Sequence, residues 1–469
     1  MRTVAETAAF VCLLAFLAWV PMPFGSASDA AQPFLIVPPL LICAAAALLR
    51  ASSKRPFLPT KAARIWITGA VLFAIVIALQ LVPLPMAMLR VLSPRSAAIW
   101  GSAARVAALA GVHAPAMHPI TIDPDQTALH LYRVLAYAAT FLASLILVRD
   151  KRRRMMFAAL LAAVAIFEAF YAVREAALGR YAIWGWKNTL IYGRATGTFV
   201  NPNHFGHYAA ILLPMALYLS AAAWHGAAPA GALFGRRLVR MMERQFLPFA
   251  GGLVAALACI TAVLVSESRG AMLAIIGGFA IVGAIASDPR RALLRGALIA
   301  LAAAAVVAAV VVVLGQSRMV RRLEGSRVSE LESRRASAAG ALRIWQLFPL
   351  FGSGAGTYED AVVMTRSYPG EAIPNHAHDD YAEILGTTGA LGFLVSVVPL
   401  FAGFAVLSRN AFGKNGEPMS WRRRAFKAAA LTSIAIAMLH ALVDFNFFIP
   451  ANPITLAAIA GAAVVARES

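Results

Sequence analysis

The sequence predicts an all-α fold: a polytopic membrane helical bundle of about twelve transmembrane helices, one membrane domain over residues 1–469. Three observations predict it. The chain is 60% hydrophobic and only 14% charged, against about 45–50% and about 25% in a typical soluble domain. Its apolar residues gather in runs close to the roughly 17–25 residues that a crossing helix needs. Its basic residues gather in short loops between those runs, where they orient a membrane protein. That placement accounts for most of the net charge of +20, and nucleic acid is not needed to explain it.

The runs fall near 7–24, 33–49, 65–82, 128–148, 155–173, 204–224, 246–265, 270–287, 296–314, 388–408, 426–443 and 453–466. In the first, only Arg2 precedes Val11–Val20, and Pro21 and Pro23 follow, which favours an uncleaved span over a signal peptide. Five short loops on one side contain SSKRPFLPTK, RDKRRR, GRRLVRMMER, DPRR and WRRR. The positive-inside rule assigns these loops and both termini to the cytoplasm. Residues 83–127, 174–203 and 315–387 form larger connections on the other side. The last of them, between spans 9 and 10, reads as largely helical. It carries many arginines, but long loops translocate regardless of charge. Cys12, Cys43 and Cys259 each lie in apolar stretches, so neither a disulfide framework nor a cysteine metal site is indicated.

Three stretches facing the non-cytoplasmic side carry the chemistry. In HAHDDYAEILG, Tyr381, Ile384 and Leu385 recur at helical spacing after His378. Asp379 and Asp380 suit the first turn of that helix, and His378 sits at its amino end. A neutral imidazole there can accept a proton. The ordinary alternative is a solvated loop histidine, and a further one is a metal pair, His376 and His378, with the two aspartates. In YGRATGTFVNPNHFGHYAAILLP, Arg194 stands near Gly193 and Gly197, with Asn203 a candidate helix cap before His204. An arginine beside a helix start is suited to an anion, or else to lipid headgroups. In SESRG, residues 266–270, the brevity of the hairpin forces Arg269 close to bilayer depth, facing either a polar cavity or Glu267. Arg133, Glu168, His440 and Asp444 read as buried hydrogen-bonding groups, with His440 and Asp444 on one helix face. The glycines of FGSGAGTY lack the Gly-Lys-Ser/Thr ending of a phosphate loop.

Together, QLVPLP (80–85), GRATGTFVNPNHFGHYAAILLPMAL (193–217), SESRGAMLA (266–274), FPLFGSGAGTYE (348–359) and HAHDDYAEILGTTGALGFL resemble the O-antigen ligase and polymerase superfamily. The resemblance covers about residues 80–450. It implies a GT-C-like membrane glycosyltransferase of the bacterial inner membrane, serving lipopolysaccharide or exopolysaccharide biosynthesis. The donor would be a glycan on undecaprenyl diphosphate, and the acceptor a hydroxyl on lipid A–core, a growing polysaccharide or another molecule. His378 would activate that hydroxyl, and Arg194 and Arg269 would hold the donor diphosphate. Asn203, His204, Asp379 and Tyr381 would support them. The resemblance calls for no metal and no cofactor, and implies an inverting displacement. A twelve-span transporter of a lipid-linked or small polar substrate is the alternative.

Overall fold

The computed structural model describes residues 2–52, 59–187, 193–229, 231–287, 327–365, 373–412 and 419–465. The described part is a bundle of helices with two minimal antiparallel strand pairs. The predicted run at 296–314 lies outside the described residues.

The first half of the chain forms α1 (Arg2–Trp19), α2 (Gln32–Ala51), α3 (Lys61–Leu81), α4 (Met86–Leu92), α5 (Pro94–Leu109), α6 (Pro124–Leu147), α7 (Lys151–Ala177) and α8 (Pro202–Ala227). The second half forms α9 (Phe234–Arg244), α10 (Phe246–Val265), α11 (Arg269–Ala286), α12 (Arg327–Leu347), α13 (Tyr358–Val362), α14 (Asp380–Phe412), α15 (Trp421–His440) and α16 (Ala451–Ala463). Eight helices among the described residues are long and apolar enough to cross a membrane. α1 and α16 are apolar but shorter, and α15 opens on the charged turn WRRR. Helical crossing segments are the expected solution, because they satisfy every backbone polar group within one segment.

α8 is the axis of the bundle: 89% of its apolar window is buried, against 22% for α2. It packs on α7, α10 and α15. Small residues set the close approaches. Gly69 of α3 abuts Pro399 of α14, Gly403 of α14 abuts Trp66 of α3, and Gly278 of α11 abuts Ile436 of α15. Such contacts suit helices in lipid, where tight packing replaces the hydrophobic drive.

Two features place the site. α14 breaks at Gly389, whose φ of +66° is left-handed, a conformation that glycine adopts without a Cβ penalty. The broken ladder is covered from outside: Ala390 N donates to Pro349 O (2.9 Å) and Leu391 N to Leu350 O (3.2 Å). The glycine-rich loop that follows acts as a brace. Gly354 N donates to Thr387 O (2.9 Å), and Ala355 N to Gln80 Oε1 (3.0 Å). Gln80 Nε2 donates in turn to Phe351 O (2.5 Å) and Thr387 O (3.0 Å). These amides hold protein groups, which agrees with discounting FGSGAGTY as a phosphate loop.

The second feature is the end of α15. Hydropathy extends the predicted run to 443, but the helix stops at His440, and residues 441–443 form a turn that leads to a bend at Asp444. Asp444 therefore does not share a helix face with His440. It lies beyond the helix end, where α14 is stitched on: Asp380 N donates to Ala441 O (2.8 Å), and Phe447 N to the Asp380 carboxylate (3.2 Å). The apolar character of Ala441, Leu442 and Val443 conceals this boundary.

Candidate functional site

The histidine segment approaches α14 through left-handed backbone at His378, with φ of +53°. For a non-glycine residue this costs about 1–2 kcal/mol. Asp379 then caps the helix, accepting from Tyr381 N and Ala382 N, both at 3.0 Å. The strained turn brings His378 to the segment after α15: its Nδ1 lies 3.2 Å from Asp444 Oδ1. The Asp444 side chain is fully buried, whereas that of His378 is 29% exposed, so the ring can meet a substrate while its partner cannot.

Asp444 is a hub. His204 Nε2 lies 3.8 Å from the same Oδ1, an ion-pair distance rather than a hydrogen bond, and Arg334 Nη1 lies 3.9 Å from Oδ2. Arg334 also donates to Val443 O (2.5 Å). Burial pushes the Asp444 carboxyl up, but His204, His378 and Arg334 together outweigh it and hold the group well below the usual carboxylate range. A charged Asp444 fixes the proton of His378 on Nδ1, which leaves Nε2 as the acceptor. Phe445 stacks on His376 (4.1 Å between centroids) and meets His204 (4.5 Å) and His378 (4.9 Å).

His376 makes a second, separate pair. Its Nδ1 lies 2.7 Å from Glu383 Oε1, and Glu383 Oε2 accepts from Ala377 N (2.7 Å). This pair staples the loop to the first turn of α14. The four groups that the sequence offers as a metal set thus diverge: His376 to Glu383, His378 to Asp444, Asp379 to the helix cap and Asp380 to Phe447. Among the described residues, no three such groups come together to hold an ion.

The arginine motifs meet at the amino end of α8. Asn201, not Asn203, caps that helix, accepting from Asn203 N (2.9 Å) while Pro202 fills the first turn. Asn203 is thereby released to receive Arg194, whose Nη2 donates to its Oδ1 (2.7 Å). Arg194 Nε donates to Ser266 O (2.9 Å), so the guanidinium ties α8 to the SESRG hairpin. In that hairpin Glu267 has φ of +52°, Ser268 caps α11 (3.3 Å to Ala271 N), and Arg269 is the first helical residue. Gly206 sits against Ser266 and Ser268, where a Cβ would lie 2.6 Å from Ser266 Oγ.

A continuous chain of contacts therefore runs from His378 through Asp444 to His204, then along α8 to Asn203, Arg194 and the turn that carries Arg269. One turn further along α8, His207 Nδ1 meets His440 Nδ1 (2.9 Å) and locks α8 to α15 behind the cluster. Tyr381 stands apart: its hydroxyl donates to Met438 O (2.9 Å). Its ring helps line an apolar cavity of about 350 Å³ between α3, α6, α14 and α16, shared with Trp66, His130, Phe447 and Leu456. Arg133 and Glu168 act as internal ties, to Gln32 (3.0 Å) and to Thr198 (2.6 Å), as buried hydrogen-bonding groups should. Sequence reasoning missed Arg334 and the pairing role of Asp444. The available signal was the second: a carboxylate at the edge of an apolar run.

Fold and site define a multi-pass helical membrane protein whose arginine and histidine motifs converge at one end of the bundle. Residues 254–397 match the family model described as O-antigen ligase, which supports the O-antigen ligase superfamily. The matched stretch contains the SESRG hairpin, the brace loop and the His378 segment; Arg194 and Asp444 lie outside it. No curated protein matches the chain.

Proposed function

We propose that the chain transfers a glycan from a lipid diphosphate to an acceptor hydroxyl, as ligase or polymerase, in the converged cluster. The observation that carries this reading is the contact chain from His378 to Arg194, which joins three motifs distant in sequence. In the proposed step, the acceptor oxygen forms a bond to the anomeric carbon as the bond from that carbon to the diphosphate oxygen breaks. His378 Nε2 takes the hydroxyl proton, and Asp444 holds the ring in the acceptor tautomer and steadies the resulting imidazolium. Arg194 and Arg269 receive the negative charge that accumulates on the leaving diphosphate through charge-assisted, fork-shaped hydrogen bonds.

Attack opposite the leaving group inverts the anomeric carbon. The amino end of α8 adds backbone dipoles of the right sign for an anion. Arg194 is held by Ser266 and Asn203 before any ligand arrives, so little reorganisation accompanies binding, the condition under which electrostatic stabilisation is strongest. The adjacent apolar cavity can take hydrocarbon from a lipid substrate. On the positive-inside reading this chemistry lies on the periplasmic face of the inner membrane.

The test is reconstitution of the full chain in liposomes with an undecaprenyl-diphosphate glycan and candidate acceptors. A glycosylated or lengthened product, with undecaprenyl diphosphate released intact, supports transfer. Release of inorganic phosphate, or bound donor with no product in the presence of any acceptor, contradicts it and favours a phosphatase or a carrier.

A further inference from the structure

At the opposite end of α8 from the histidine cluster, α9 joins α8 to α10. Its sequence, FGRRLVRMMER, is too short and too charged to cross a bilayer. At about 100° per residue, Phe234, Leu238, Val239 and Met242 share one arc, and Arg236, Arg240 and Arg244 share the other. The apolar arc faces outward: Phe234 is 70% exposed, Val239 55% and Met242 54%. The line between the arcs rests on the protein, through buried Met241 and through Arg237, which donates to Pro229 O (2.9 Å). Phe234 leans on Trp224 (5.5 Å between centroids).

The surface extends beyond α9. Trp421 at the start of α15 packs on His225 (4.0 Å), and Arg422 lies against Gly226. The WRRR turn therefore sits beside the carboxyl end of α8, and basic residues from two connections gather at one end of the bundle. We infer that α9 is an in-plane helix that docks on the anionic headgroup layer of the leaflet opposite the histidine cluster. Its apolar arc enters the acyl boundary and its arginines engage lipid phosphates, the arrangement expected of a short basic amphipathic helix at an interface. Charge complementarity selects anionic lipid over zwitterionic lipid. The same four arginines against one glutamate in α9 disfavour a second copy of the chain as occupant, because identical arcs repel. The positive-inside rule makes this leaflet cytoplasmic.

The test uses the full chain with Cys12, Cys43 and Cys259 replaced by alanine and a spin label on Val239→Cys. It is placed in nanodiscs of phosphatidylcholine with or without phosphatidylglycerol. The expected label is accessible to oxygen and shielded from a water-soluble nickel complex when phosphatidylglycerol is present. Shielding should be lost in the triple variant Arg236→Gln, Arg240→Gln, Arg244→Gln. Native mass spectrometry of the unlabelled chain should show phosphatidylglycerol retained over phosphatidylcholine, with that preference abolished by the triple variant. A nickel-accessible label in both bilayers overturns the inference, as does lipid retention indifferent to headgroup charge. Shielding that appears in detergent and grows with protein concentration also overturns it, by pointing to a second copy instead.

Discussion

The brace loop at 349–357 and the histidine loop at 376–379 both pack near the start of α14, yet they treat their polar groups in opposite ways. In the brace, Gln80 satisfies three backbone groups at once, and the amides of Gly354 and Ala355 end on protein acceptors. Around the histidine loop, His204 Nε2 of α8 and Asp444 Oδ2 beyond α15 are buried without a hydrogen-bond partner among the described residues, and His378 remains partly open. Natural proteins pair nearly all buried polar atoms. The brace ties its loop to α3 and α14 through side-chain and backbone bonds, whereas the cluster around Asp444 holds its members by charge and leaves His378 partly exposed. Backbone strain tells the same story. The brace uses glycine wherever φ is positive, at Gly352, Gly354 and Gly356, while the two site loops force Glu267 and His378 into left-handed backbone despite their side chains.

The contrast can be broken or sharpened by substitution, beginning with the largest effect. His378→Ala should lower glycan transfer per folded molecule by about 10²–10⁴-fold, with a lowered thermal midpoint because Asp444 loses a partner; near-normal transfer would remove the base from the account. Arg194→Lys and Arg269→Lys should each lower turnover by about 10²–10³-fold, because a lysine supplies a point charge where a fork is needed. Full donor turnover in both would dissolve the diphosphate clamp.

Asp444→Asn should lower transfer by about 10²-fold, the scale expected when a reacting group loses its orientation, and should also destabilise the fold by stranding His204, His378 and Arg334. The pH dependence has a definite sign. The Asp444 carboxyl is held below its ordinary value, so its stabilising contribution is complete above the usual carboxylate range and is lost as pH falls through the lowered value. The stability gap between wild type and Asp444→Asn should therefore narrow in acid, as thermal unfolding across pH would show.

On the brace side, Gln80→Ala strands buried backbone groups at a cost of about 1–3 kcal/mol each. It should lower the thermal midpoint yet leave transfer per folded molecule close to normal. The opposite pattern, stable but inactive, would move the brace into the site.

Eight of the twelve predicted runs coincide with described helices long and apolar enough to cross a membrane, and they were legible because lipid demands long apolar runs; the arginine and histidine motifs stood out because charge beside such runs is costly. Partnerships were not legible. Asp444 is 66 residues from His378 and His440 is 233 from His207, and spacing carries no information across such gaps. Asn201 and Asn203 are equally good caps by type; only the placement of Pro202 in the first helical turn decides between them. Arg334 reads as one charge among many in SRRASA until α12 carries it to Asp444.

The central claim is that one site unites Arg194, Arg269 and His378 around a lipid diphosphate. An experimental structure of the full chain with an undecaprenyl-diphosphate glycan bound tests it most directly. The account predicts the diphosphate between the two guanidiniums and the anomeric carbon facing His378 Nε2. A diphosphate bound away from the arginines, or a donor sugar out of reach of that nitrogen, would contradict it.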